Sequence, residues 1–197
     1  MSLPAPTRHA AATEVAPQLV VVAVMCAVMF FIALTLFEVL PEIPVDIDFK
    51  PFFIPLAFVV LLPRGAPVFA AAIGAMLGEF LRDALEGYEI DDPIGAVGYV
   101  VGFVAAAYVV GDRPLSRVRL VVAAAVAGAL HAVIEASSFV LFSAETAWVA
   151  IYSGLGNTLA DGLVMGALPL VFVVPALHGR LERYLGYPPR GMAVPER

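Results

Sequence analysis

Glu79, Arg82 and Asp83 lie in the last turns of an otherwise apolar run, 68–85. A charged side chain at the centre of a membrane helix costs about 2.5–3.5 kcal/mol on insertion scales, so charge kept there reads first as a site. Two further apolar runs carry polar pairs at i,i+4 spacing, which puts both members on one helix face. One pair is His131 with Glu135 and the other is Asn157 with Asp161. Trp148, the only tryptophan, and Tyr152 stand just before the second pair. Glu79, Glu135 and Asp161 outnumber Arg82, which points to a cationic or amine-bearing ligand, or to carboxyls that are partly protonated. Each residue alone has a structural explanation. Arg82 pairs with Asp83 or Glu79, His131 donates to a core carbonyl, and Asn157 bonds a neighbouring helix for about 0.6 kcal/mol. Three separate runs placing such groups at one depth fit a substrate-binding pocket better than three unrelated structural contacts.

The elements that hold these groups are membrane helices. Of 197 residues, 61% are hydrophobic and 14% charged, whereas a soluble domain carries about 25% charged residues. The apolar runs are continuous rather than alternating, which excludes a barrel and gives an all-α integral membrane protein. The first run, 19–40, matches the roughly 20 residues a span needs. It is too long for a cleaved signal and is read as a retained helix. An acidic loop follows at 41–50, then a run at 51–62 that is too short to cross alone. Runs at 68–85, 93–110 and 118–142 give three more helices. The last run, 147–177, would extend about 46 Å as a helix, against a hydrocarbon core of about 30 Å. Gly154 and Gly156 are expected to divide it, and Pro169 and Pro175 to bend or end it. The result is a six-helix transmembrane bundle over 19–180, with a loose tail at 1–18 and a cytoplasmic C-terminal tail at 181–197.

Six spans put Arg8, Arg64, Arg113, Arg117, Arg119, Arg180, Arg183, Arg190 and Arg197 on one side, and Lys50 and Arg82 on the other. That bias places both termini in the cytoplasm, with the chain a multi-pass protein of the plasma membrane. The polar pairs and Glu79 then fall in the outer half of the bundle. The single cysteine, Cys26, reads as apolar filler inside the first run.

Several functions are excluded. The one lysine, Lys50, has no glycine-rich loop before it, so there is no phosphate-binding loop and no ATPase of that kind. His131 and Glu135 form H-x-x-x-E, too common a spacing to imply zinc, and no G-x-S-x-G occurs. There is no basic stripe for nucleic acid. Neither catalytic residues nor a cofactor are expected, and the partners are a small molecule and the lipid bilayer.

Small residues at four-residue spacing mark close helix contacts: Ala23 and Ala27, Gly74 and Gly78, Gly98 and Gly102, Gly162 and Gly166. With these glycines, the short second helix and the run GAPVFAAAIGAMLGEFLRD followed by DPIGAVGYVVGFVAAAYVVG, residues 19–180 resemble the substrate-binding S components of energy-coupling factor (ECF) vitamin transporters. The resemblance implies that Ala23 and Ala27 contact a coupling transmembrane protein, which joins two separate ATPases that power uptake. It implies a substrate held in the outer half. In type and order, Glu79, His131, Trp148, Tyr152 and Asn157 resemble the residues of the thiamine-binding members. Glu135 and Asp161 add charges beyond that set and aromatics are sparse around Glu79, so a related pyrimidine, an amine-bearing base and a metal ion stay open as ligands.

Overall fold

The computed structural model describes residues 8–37, 47, 49–87, 92–142 and 147–191, and all elements among them are helices. Four are long and apolar enough to cross a membrane. Helix α1 (Arg8–Phe37) starts well before the expected position and passes through Pro17, so residues 8–18 continue the helix instead of forming a loose tail. Every fourth residue of α1, Val22, Cys26 and Phe30, is buried, while Val20, Val24 and Val28 are exposed. Burial is one-sided while both faces are apolar, which suits a helix packed on a bundle with its other face against lipid.

Helix α2 (Phe53–Leu61) has nine residues, about 13.5 Å of rise. Pro55 through Leu61 are all buried, and α2 touches α1, α3, α4 and α7. The chain thus uses its most apolar helix, a short one, as the centre of the bundle. Around it run α3 (Ala66–Glu86), α4 (Asp92–Val110) and α5 (Arg117–Phe142). The final helix is continuous through Gly154 and Gly156: α6 (Ala147–Asn157) passes into a π-helical segment, Thr158–Ala167, and then α7 (Leu168–Leu177). The expected division is replaced by a wider coil, with Leu168 N–H bonded to Leu163 O five residues back. Such segments are rare and concentrate at functional sites. Pro175 lies inside α7 without ending it.

Glycines set the helix spacing. A Cβ on Gly102 would come within 2.7 Å of Ala127 O, and one on Gly128 within 2.6 Å of Gly162 Cα, so α4–α5 and α5–π crossings are backbone on backbone. Likewise Gly78 receives Ala27 O at 2.7 Å from where its Cβ would be, and Gly74 receives Ala23 O.

The segment after α7 is built in. Helix α8 (Leu181–Tyr184) carries Glu182, fully buried, which accepts the Gly179 N–H at 2.7 Å. His178 Nε2 lies 2.9 Å from Arg190 O. The Arg190 guanidinium reaches the end of α2, where Nη1 donates to Val59, Val60 and Leu62 carbonyls at 3.2, 3.0 and 3.1 Å. Nη2 donates to Ala107 O at 3.0 Å. Helix C-termini leave carbonyls unpaired and carry partial negative charge, so a buried guanidinium is a fitting cap. The expected cytoplasmic tail is therefore a plug as far as Gly191. Nearby, Arg64 pairs with Asp112 on the surface, and its hydrogen bond and charge hold the Asp112 carboxyl below the usual range.

Candidate cation site around Lys50

At the end of the bundle opposite Arg190, four elements converge on Lys50. Lys50 stands just before α2 and is 7% exposed. Its Nζ lies 3.4 Å from Glu79 Oε1 on α3 and 3.1 Å from Glu135 Oε1 on α5. Its backbone N–H donates to Asp161 Oδ1 in the π segment at 2.7 Å. The α4 ring of Tyr99 lies beneath, 5.9 Å from Nζ to centroid, near the outer limit for cation–π attraction. Two carboxyls thus face one ammonium, and a third holds the backbone beside it. Removing one partner of such a buried pair costs about 3–5 kcal/mol, because the other charge is left in a dry place.

Each side chain has a local reason for its position. Glu79 follows Gly78, whose missing side chain brings α3 onto α1 and turns the next residue inward. His131 and Glu135 sit one turn apart on α5, with His131 Nδ1 3.6 Å from Glu135 Oε2. Gly98 and Gly95 of α4 make room for them: a Cβ on Gly98 would meet His131 Cα at 3.1 Å, and one on Gly95 would meet Glu135 Oε1 at 3.3 Å. Asp161 faces inward from the π segment, and one turn earlier Asn157 is buried with its Nδ2 3.5 Å from Ser153 Oγ.

An aromatic floor lies below the charges. Tyr99 packs against His131 at 4.2 Å between ring centroids, Phe30 at 5.7 Å and Phe103 at 5.8 Å. Phe52 closes the set, 5.2 Å from His131 and 5.1 Å from Phe103. These edge and tilted contacts rigidify the base of the site. Two polar atoms there are buried without a hydrogen-bond partner among the described residues, Glu79 Oε2 and the Tyr99 hydroxyl.

Of the expected residues, Glu79, His131, Glu135, Asn157 and Asp161 are inside this end of the bundle. Arg82 and Asp83 lie further along α3 and are partly exposed, and Arg82 Nε bonds Glu86 Oε1 at 2.8 Å instead of entering the cluster. Trp148 and Tyr152 are 77% and 62% exposed on the outer face of α6, away from the charges. Ala23 and Ala27, expected at a partner, lie half-buried with their carbonyls in the α3 notches of Gly74 and Gly78.

The sequence reading missed Lys50 and Tyr99. The signal for Lys50 was its being the one lysine, placed at the mouth of a helix too short to span. A cavity of about 490 Å³ between α5 and α6 is lined by Val133, Ala136, Val140, Ile151 and Leu155 and holds none of the cluster residues. Among the described residues, no three His, Cys, Asp or Glu side chains are arranged to hold a metal ion. Compared with protein-family models, curated proteins and solved structures, the chain matches none.

Proposed function

We propose that this chain is the substrate-capture subunit of an ECF-type importer, taking up a small vitamin-like cation or amine through an outward-facing pocket. The observation that supports it most is the burial of one ammonium between Glu79 and Glu135, over an aromatic floor, by helices that otherwise pack through glycine. Carboxylates beside aromatic faces are what recognition of an organic cation requires. In this reading α2 completes a six-helix bundle, the Arg-rich end is cytoplasmic together with both termini, and the Lys50 end faces outward across the plasma membrane. A coupling transmembrane protein and two ATPases supply the energy. Since Ala23 and Ala27 carry the α1–α3 contact, their exposed neighbours Val20, Val24 and Val28 offer more surface to that partner.

The test is calorimetric titration of thiamine and its pyrimidine fragment. The parent protein binds one of them, and Glu79→Gln weakens binding at least about tenfold, or 1.4 kcal/mol, while the folded yield holds because Gln keeps the shape. No binding by the parent removes thiamine, and equal binding by both removes Glu79 from the site. The competing reading is a scaffold membrane protein of the cell envelope with no ligand, in which Lys50 is a permanent clasp between α3 and α5. Its support is the same pair of short ammonium–carboxylate distances.

A further inference from the structure

We propose that Lys50 is an internal competitor: its ammonium occupies the subsite that the cationic group of the ligand takes, and the ligand binds by displacing it. This rests on reading the cluster as a ligand site. The Lys50 Nζ has the contacts an organic ammonium would seek, namely two carboxylates from different helices and an aromatic face. A ligand cation using Glu79 and Glu135 has to enter the same space.

The lysine is fixed to the fold by its backbone. Its N–H bonds Asp161 Oδ1 at 2.7 Å, and its carbonyl accepts the Phe52 N–H at 2.7 Å. The ammonium hangs from these anchors on four methylenes with free torsions. The side chain can therefore swing out while α2 and the π segment stay in place.

Lysine also satisfies the site incompletely. Glu79 Oε2 and the Tyr99 hydroxyl remain buried without a hydrogen-bond partner among the described residues. A buried polar atom left unpaired is a cost that a ligand with suitable donors and acceptors relieves and lysine does not. The competitor keeps Glu79 and Glu135 from facing one another bare in the empty protein, yet is outmatched by a ligand that bonds those remaining atoms.

Lys50 is the only lysine in the chain, so acetylation by an amine-reactive reagent reads one side chain. In the full-length parent protein in nanodiscs, Lys50 is protected, and saturating thiamine or tetramethylammonium raises its acetylation rate at least tenfold. Lys50→Ala binds thiamine at least tenfold more tightly than the parent. If tetramethylammonium exposes Lys50 and thiamine does not, the competitor stands and the thiamine reading falls. If thiamine binds calorimetrically while Lys50 stays protected, the ligand site stands and the competitor is overturned. It is also overturned if neither cation changes the rate, or if Lys50→Ala binds the cation that exposes Lys50 no more tightly than the parent does. The acetylation arm decides alone should Lys50→Ala not fold.

Discussion

Tyr99 is the residue whose chemistry is least explained by packing alone. Its ring is fully engaged with Phe30, Phe52, Phe103 and His131, yet its hydroxyl is buried with no hydrogen-bond partner among the described residues. A purely structural position would be served as well by phenylalanine. Removing a buried, unsatisfied hydroxyl is neutral or stabilising, by up to about 1–3 kcal/mol. Tyr99→Phe should leave the melting temperature unchanged or raised while weakening thiamine several-fold in titration. A lowered melting temperature would mean that the hydroxyl has a structural partner. The sequence showed the ionisable part of this site because helical spacing and an apolar background isolate it: His131 with Glu135, Asn157 with Asp161. Lys50 and Tyr99 escaped because tertiary packing brings them in from a loop and from the glycine face of α4. Trp148 and Tyr152 misled for a reason of helix phase. They share one stripe, and Ser153 and Asn157 share the stripe one residue on, rotated by about 100°. One stripe faces out and the other in.

At the scale of elements, α2 links the two polar ends of the molecule. Lys50 precedes its first turn, and Arg190 holds its last carbonyls. The apolar run at 51–62 marked α2 as too short to span, but nothing local indicates that it is the centre of the core. That follows from the residues packed around it. The Arg190 contact, with partners 128 to 131 residues away at the end of α2, was equally hidden, and the segment read as a cytoplasmic tail because its composition is polar. Arg190→Met keeps the length of the side chain and removes the donors. It should lower stability by at least about 2 kcal/mol, since carbonyls of Val59, Val60, Leu62 and Ala107 lose a buried partner. Thermal unfolding in detergent measures this, and a shift no larger than that of an exposed Arg183→Met would show that the cap contributes little.

Across the whole molecule, an Arg-rich end stands opposite the end that holds the Lys50 cluster. The Arg-rich side holds Arg64, Arg113, Arg117, Arg119 and Arg190, and the opposite side holds Lys50 and Arg82. Reporters fused after Arg197 and within 111–117 should give a cytoplasmic signal, and one within 86–92 an external signal. The reverse would direct the Lys50 cluster toward the cytoplasm and remove the uptake reading. Helix positions were legible at this scale because continuous apolar runs dictate them. The start of α1 and the undivided last helix were not, since a proline at 17 and glycines at 154 and 156 read locally as breaks and the helices run through them. In the proposed reading the buried carboxylates hold a small organic cation. Native mass spectrometry of the full-length protein, purified and then incubated with thiamine, tests it most directly. The parent should carry a bound small cation, either retained through purification or acquired from thiamine, and the Glu79→Gln/Glu135→Gln variant, shown folded by its melting curve, should carry none. A parent that stays free of any small molecule, or a double variant that binds as the parent does, would contradict it.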